Sequence, residues 1–339
     1  MNQNFVHCIT TRFGVGIYDF EWYRYRFLLF EAITLPSLMA QTDQRFLWLI
    51  RIDPQIPQEA REHLETITGK FSNILILEWD EIYESLAPIK YMRQNLLSET
   101  IEHIITSRID DDDAWRVNTV EILHELYDQH LPELRKYVES TEGGSFCNGL
   151  VITFPLGYEW VITEKEIRES VHPCHSMSVS VISNKASAIN CFSTKHNKKQ
   201  WMKYAKNNNL KYIELNENTP MWLYLRHKQA NTAHSKFIRS QEKPITVSEK
   251  VVDSLEKNFG ISRDNYRKYL DSHHNFTGFN KYLVSNSPSL WTEKKEIHKQ
   301  IRKLTQDMKQ CKLQEEREKI QAEIDLLGQK CIEKYTKLF

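Results

Sequence analysis

Residues Ile101–Trp115 read IEHIITSRIDDDDAW. An apolar, β-branched run, Ile104–Ile109, leads directly into four adjacent carboxylates, Asp110–Asp113. The run reads as a buried strand. Four carboxylates at the tip of such a strand repel one another and are costly to fold together unless a cation neutralises them. Hard oxygen ligands suit Mg²⁺ or Mn²⁺, which also bridge phosphate oxygens. An extended strand end would turn Asp110 and Asp112 to one side. The plainer reading is an acidic N-cap for the helix that follows, but capping needs one or two of these residues, not four.

Upstream of this stretch the pattern alternates. Phe5–Thr11 is a first strand, ending at Arg12-Phe13-Gly14. Glu21–Gln41 is helical and should stop or restart at Pro36. Phe46–Ile52 is a second strand closing on Asp53-Pro54, and Gln58–Thr68 a helix followed by Gly69. Ile74–Trp79 is a third strand and Tyr91–Glu102 a helix before the fourth strand. Strand–helix alternation at this spacing predicts an α/β fold, a mostly parallel sheet with helices on both faces. Ligands of such sheets bind beyond the carboxyl ends of the strands. Arg12, Asp53 and Asp110–Asp113 all fall at such ends.

After Asp113 the order changes. Val117–Tyr127 reads as a helix. Gly149–Phe154 and Glu159–Ile162 read as strands of a hairpin around Pro155–Gly157, and Ser178–Ser183 as another strand. Met221–Arg226 is short and apolar. From about Ser248 the chain is helical and polar, interrupted at Asn275–Gly278. Ile297, Ile301, Leu304, Met308 and Cys311, then Ile320, Ile324, Leu327 and Cys331, mark a coiled-coil stripe with a discontinuity, or a helical hairpin. The expected division is a catalytic domain over 1–240, a helical region over 245–290, and a coiled-coil or helical-hairpin tail over 291–339.

The chain has 339 residues, 27% of them charged, with 45 basic and 45 acidic side chains. A net charge of zero supplies no global field for nucleic acid. Six dispersed cysteines without a Cys-x-x-Cys pair read as reduced thiols of a cytoplasmic protein. No apolar stretch is long enough to span a bilayer, and the N-terminus does not read as a signal peptide. His172-Pro-Cys174-His175 is too tightly spaced for an ordinary structural zinc site.

These segments carry a resemblance. Thr10-Thr11-Arg12-Phe13, Leu28–Gln41 with its Pro-Ser-Leu-x-x-Gln, Phe46–Asp53, Ser107–Ala114 and Pro220–Asn231 resemble the GT-A class of nucleotide-sugar glycosyltransferases. More narrowly, they resemble bacterial proteins named as rhamnosyltransferases. The resemblance implies a GT-A fold, an Asp-x-Asp metal site and transfer of a sugar from a nucleoside-diphosphate donor. It implies that Asp110 and Asp112 hold Mn²⁺ or Mg²⁺ or the donor ribose, with Asp111 and Asp113 as alternates one register on. By the same resemblance Asp53 contacts the base, Thr10 and Arg12 line the nucleotide, and Arg93 faces the diphosphate. His227 is the candidate to complete the metal shell. The family pattern also leads one to expect a Glu just after the Ser178–Ile182 strand, where this chain has Ser183-Asn184.

An inverting transfer needs a base for the acceptor hydroxyl. No Asp occurs between Asp128 and Asp253, so a carboxylate from that half must be a Glu. Glu159 is the first choice, with Glu164, Glu166, Glu217, His172 and His175 open. Lys195–Lys211 holds six Lys, no acid, and Trp201 and Tyr204. It could rest on anionic headgroups at the inner membrane, where lipid-linked acceptors reside, or be a solvated helix face. The C-terminal stripe could make a homo-oligomer. The expected activity is a metal-dependent, inverting glycosyltransferase acting on a surface polysaccharide or glycolipid. A sugar nucleotidyltransferase is one alternative, although Arg12-Phe13-Gly14-Val15-Gly16 is a poor phosphate loop for it. A non-catalytic scaffold of the same fold is another.

Overall fold

The computed structural model describes residues 4–15, 17, 19–78, 91–92, 94–139, 148–161, 166–172, 174, 176–187, 189–194, 197–215, 218–227, 245–273, 297, 299–301, 303–308, 311 and 314–336. In chain order the elements are β1 (Phe5–Phe13), α1 (Phe20–Leu29), a π-helical turn (Phe30–Thr34), α2 (Leu35–Met39), β2 (Leu47–Ile52), α3 (Gln58–Thr68), β3 (Ile74–Glu78), β4 (His103–Arg108), β5 (Ala114–Trp115), α4 (Thr119–Glu139), β6 (Gly149–Thr153), β7 (Leu156–Val161), β8 (Glu166–Val171), β9 (Val179–Asn184), α5 (Lys198–Asn207), β10 (Leu210–Glu214), β11 (Trp222–Arg226), β12 (Ile245–Thr246), α6 (Glu249–Phe259), α7 (Arg263–His273) and α8 (Gln314–Thr336).

Seven strands form the main sheet in the order β10-β6-β9-β4-β1-β2-β3. β1 pairs in parallel with both β2 and β4, and β2 with β3. The strand order reverses between β1 and β4, the switch point at which open α/β sheets bind ligands. β1 and β2 are buried along nearly their whole length, as strands covered on both faces must be. The core on one face gathers Ile9, Phe13, Phe30, Trp48, Ile50 and Ile105, and the other gathers Cys8, Leu49, Met92 and Ile104.

Several expectations change. The Pro155–Gly157 turn does not close a hairpin. β6 stays in the main sheet, whereas β7 opens a second sheet of order β12-β8-β7-β11-β5. The turn instead carries the chain from one sheet to the other. Gly157 is required there, because a Cβ would lie 2.0 Å from the Trp222 ring. The helix over 21–41 restarts at Pro36, as expected, but after an unforeseen interruption. A π turn takes up the register at Phe30–Thr34 and Pro36 sits in the first turn of α2, where its missing N–H costs nothing. The helix before β4 is a short turn around Tyr91–Leu96, and α4 runs on to Glu139.

α6 and α7 pack beside α1 and the second sheet. Val252, Leu255, Phe259 and Tyr269 share a core with Tyr25 and Leu29 of α1, Trp160 of β7 and Leu225 of β11. In the tail, helical residues 303–308 and α8 are separated around Cys311. Along α8 the described side chains are exposed or half-buried, with Leu326 53% exposed. Asn275–Gly278 lies outside the described residues. Trp201 of the Lys-rich segment is fully buried among Val151, Val181 and Ala205. Lys198 pairs with Glu214 at 2.6 Å and Lys211 with Glu133 at 3.0 Å. The expected aromatic-and-lysine face is therefore divided, its largest ring inside and two of its charges spent on acids. Among the described residues no helix is long and apolar enough to cross a membrane.

Candidate active site

The Asp110–Asp113 run does not continue β4 as an extended strand. It forms a tight turn, with the Asp113 N–H 3.4 Å from the Asp110 carbonyl. The alternation expected of a strand end is lost, and each carboxylate meets a different partner.

Asp110 is the most open of the four. It accepts from the Arg108 guanidinium at 3.1 Å and from the Ser176 hydroxyl at 3.4 Å. Asp111 is 5% exposed, and its Oδ2 lies 3.4 Å from Arg26 Nε. Burial pushes its carboxyl up to about 7, against the pull of Arg26. Asp112 is 8% exposed and pairs through Oδ2 with Arg26 Nη1 and with His227 Nε2, the latter at 2.7 Å. Burial works upward on it too, but Arg26 and His227 outweigh burial and hold the carboxyl well below the ordinary range. Burial lowers the His227 pKa against the opposing pull of Asp112.

Asp113 points the other way. It is fully buried and its Oδ1 accepts the Leu225 N–H at 3.1 Å. Burial and then the neighbouring Asp112 raise its pKa strongly, so it is held as the neutral acid. It acts as a connector. β5 pairs antiparallel with β11, setting Trp115 against Trp222 and Ala114 against Leu223. That ladder and the Asp113 bond fix the far end of β11, which delivers His227 to Asp112.

The Pro-Ser-Leu-x-x-Gln motif has a structural task. Gln41 Nε2 donates to the Ser37 and Arg116 carbonyls at 2.9 and 2.8 Å, and its Oε1 accepts the Val120 N–H at 3.0 Å, capping α4. It clamps α2 to the segment that leaves the acidic turn.

A cleft of about 240 Å³ opens at this turn, between the ends of β1 and β4. Arg12, Arg26 and Arg108 line it together with Asp110, Asp111 and Asp112, and Trp22 and Tyr224 supply aromatic walls. Gly14 sits at its rim with φ +60°, and the Tyr23 hydroxyl lies 2.9 Å from the Gly14 carbonyl, fixing the bend after β1.

The other expected site residues fall as follows. Thr10 is buried within β1, which extends to Phe13, and its hydroxyl lies 3.8 Å from Cys8 Sγ. Asp53 is buried after β2 and accepts the Gln55 N–H at 3.0 Å, the bond of a turn residue. Arg93 lies outside the described residues, as do Glu164, His175 and Glu217. Glu159 is 7% exposed on β7; Arg226 Nε lies 3.1 Å from Oε2, and the Ser170 hydroxyl donates to Oε1 at 3.2 Å. It does not line the cleft, although Tyr224, its partner across the ladder, does. β9 runs antiparallel to β4, with Asn184 opposite His103 at the start of that strand. A residue just after the Ser178–Ile182 strand is therefore at the end of the sheet remote from the cleft, so Ser183-Asn184 is not a missing base beside the acidic turn. Arg26 was not anticipated. Its signal in the sequence was weak: it is the second of two arginines, after Arg24, set among the aromatics of α1.

Among the described residues no group of three or more His, Cys, Asp or Glu is arranged around an ion. Asp112 Oδ2 and His227 Nε2 stand 2.7 Å apart, the distance of a hydrogen bond between them. Magnesium-type ions are held by one or two protein carboxylates and complete their shell with phosphate oxygens and water, and Asp110, Asp111 and Asp112 are the carboxylates that line the cleft.

The family model described as "Putative rhamnosyl transferase" matches residues 11–239. The chain belongs to that family. It is a glycosyltransferase-type family of nucleotide-sugar transferases, and the mostly parallel α/β sheet agrees with the GT-A architecture. No curated protein matches the sequence. Among solved structures, S. aureus TarS residues 1–349 is 11% identical over 65% of this chain and 60% of that one, with a TM-score of 0.38. This chain thus spans about three fifths of that structure. The same protein in complex with UDP-GlcNAc is 12% identical over 83% and 75%, TM-score 0.40. A nucleotide-diphospho-sugar transferase from Desulfovibrio desulfuricans G20 is 8% identical over 78% and 97%, TM-score 0.34. Likeness at this level supports no residue-by-residue comparison.

Proposed function

We propose that this family member transfers a sugar, with inversion, from a nucleoside-diphosphate donor to a hydroxyl of a bacterial surface polysaccharide or glycolipid, using Mn²⁺ or Mg²⁺. One observation carries the reading. Three arginines and three aspartates line one cleft at the sheet's switch point, and the buried His227 meets one of those aspartates, Asp112, at 2.7 Å.

Breaking the anomeric C–O bond leaves negative charge on the diphosphate. Asp112 and His227 are the residues that would hold the divalent ion, which when bound supplies Lewis-acid stabilisation of that charge. Arg12 and Arg108 reach the same cleft, and guanidinium forks suit phosphate oxygens. Asp110, part-exposed and already steadied by Arg108, faces the cleft where a ribose hydroxyl could donate to it. Trp22 and Tyr224 give flat walls for a base or a pyranose face.

The test is a thermal-shift screen of nucleoside diphosphates with and without Mn²⁺, since a ligand that binds only the folded state raises its stability. A rise with one nucleotide that needs Mn²⁺ and disappears in Asp112→Asn supports the reading. No rise with any nucleotide refutes it. Pyrophosphate release from a nucleoside triphosphate and a sugar phosphate would instead establish the nucleotidyltransferase alternative.

A further inference from the structure

The acidic turn already holds a cation from its own chain. Arg26 lies on α1, just before the π turn, and is 8% exposed. Its Nη1 hydrogen-bonds Asp112 Oδ2 and stands 3.1 Å from His227 Nε2. Asp112 Oδ2 is also the oxygen that His227 Nε2 meets at 2.7 Å, so an arginine and a histidine already share it. An ion bound to that oxygen would need the place Nη1 takes, and the two cannot be there together.

The seat is imperfect for a guanidinium. Arg26 Nε and Asp111 Oδ2 are both buried and 3.4 Å apart, yet among the described residues neither makes a hydrogen bond. A buried donor and acceptor left without a bond keep their desolvation cost. An alternative resting place adjoins it. The guanidinium carbon lies 4.8 Å from the centre of the Trp22 ring, one helical turn back, and both side chains line the cleft. Cation–π contact along that ring would steady a guanidinium turned toward the cleft.

We propose that Arg26 is a stand-in cation. In the ion-free protein it fills the divalent-ion position on Asp112 and His227. A divalent ion entering with the donor diphosphate displaces its guanidinium, which turns along Trp22 onto the diphosphate oxygens. The proposal rests on the reading above that Asp112 and His227 bind such an ion. It accounts for how a run of carboxylates folds before any ion arrives. It also couples the two ligands. An ion alone must evict a bonded arginine and leave it only the imperfectly placed Asp111, whereas an ion accompanied by a diphosphate gives the arginine a new partner.

The experiment titrates full-length protein with Mn²⁺ alone, reading free Mn²⁺ by electron paramagnetic resonance, and records Tm in EDTA. Arg26→Gln removes the competing charge and should bind Mn²⁺ at least tenfold more tightly than the wild type. Its Tm in EDTA should fall by several degrees and recover with Mn²⁺. Asp112→Asn should abolish the binding in both backgrounds. Equal or weaker Mn²⁺ affinity in Arg26→Gln, with wild-type binding still lost in Asp112→Asn, overturns the stand-in role and leaves the ion site intact. Absence of Mn²⁺ binding in both proteins overturns the two together. Should Arg26→Gln fail to fold in EDTA and in Mn²⁺ alike, Arg26→Lys decides. Its single-headed ammonium holds the pair less well and should allow about threefold tighter Mn²⁺ binding, and unchanged affinity refutes the proposal.

Discussion

Replacing Asp113 by Asn should stabilise the protein at neutral pH, although the residue belongs to the acidic run. The side chain is fully buried, its Oδ1 accepts the Leu225 N–H at 3.1 Å, and among the described residues its Oδ2 has no hydrogen-bond partner. Burial raises its pKa strongly, so the folded protein carries the neutral acid while the unfolded chain ionises near pH 3.9. Above that pH the folded state binds more protons than the unfolded one, and stability falls as pH rises. Each pH unit over which the proton is retained costs about 1.4 kcal/mol, so the penalty at pH 7 is at most about 4 kcal/mol. An amide keeps the acceptor for Leu225 and avoids this penalty, but buries an unpartnered NH₂ at a cost of about 1–3 kcal/mol. The net gain should be no more than about 3 kcal/mol. For 339 residues the unfolding entropy is roughly 0.7 kcal/mol per degree, so Tm should rise by up to about 4 °C. Differential scanning fluorimetry at pH 7 and pH 4.5 checks it, because the advantage should shrink on acidification. Asp113→Ala, which orphans the Leu225 N–H, should lose about 2–4 kcal/mol at either pH. If Asp113→Asn is as destabilising as Asp113→Ala, or loses Mn²⁺ binding, the assignment of Asp113 as a neutral connector is wrong and it belongs among the metal ligands.

Two further outcomes follow from buried side chains. His7, His103 and His124 are all lowered, burial being the leading cause, and His103 is pushed down to about 4. Below about pH 6.5 the unfolded chain takes up these protons and the folded protein does not, at up to about 1.4 kcal/mol per histidine per pH unit. His103→Gln should therefore lose less stability than the wild type as pH falls from 7 to 5, read as the difference between the two urea midpoints; a difference that does not change with pH would contradict the burial argument. Glu159→Gln leaves Arg226 beside a neutral amide and should cost about 2–3 kcal/mol, lowering Tm by about 3–4 °C, with turnover within tenfold of wild type. A hundredfold loss of turnover at unchanged Tm would instead identify Glu159 as the base.

Much of the parallel half was legible because local pattern and burial coincide there. β1, β2 and β4 are covered on both faces, so they read as apolar runs, and the charged residues that end them mark the edge where a ligand sits. The Pro155–Gly157 turn was misread for the same local reason. Two strand-like runs around a turn look like a hairpin, and nothing between residues 149 and 161 says that they belong to different sheets.

The amino-acid sequence by itself determined that four carboxylates follow a buried strand, that a family motif surrounds them, and that an α/β sheet carries them. Tertiary structure alone decided what each carboxylate does. Asp112 meets Arg26 and His227, which are 86 and 115 residues away along the chain, only because α1 packs beside the turn and β11 is laddered to β5. The direction of β9 likewise decided which of its ends faces the cleft. Charge and hydropathy patterns are properties of neighbours in sequence, whereas the pairing of an acid with its cation is set by which strands exchange hydrogen bonds, and no local pattern records that.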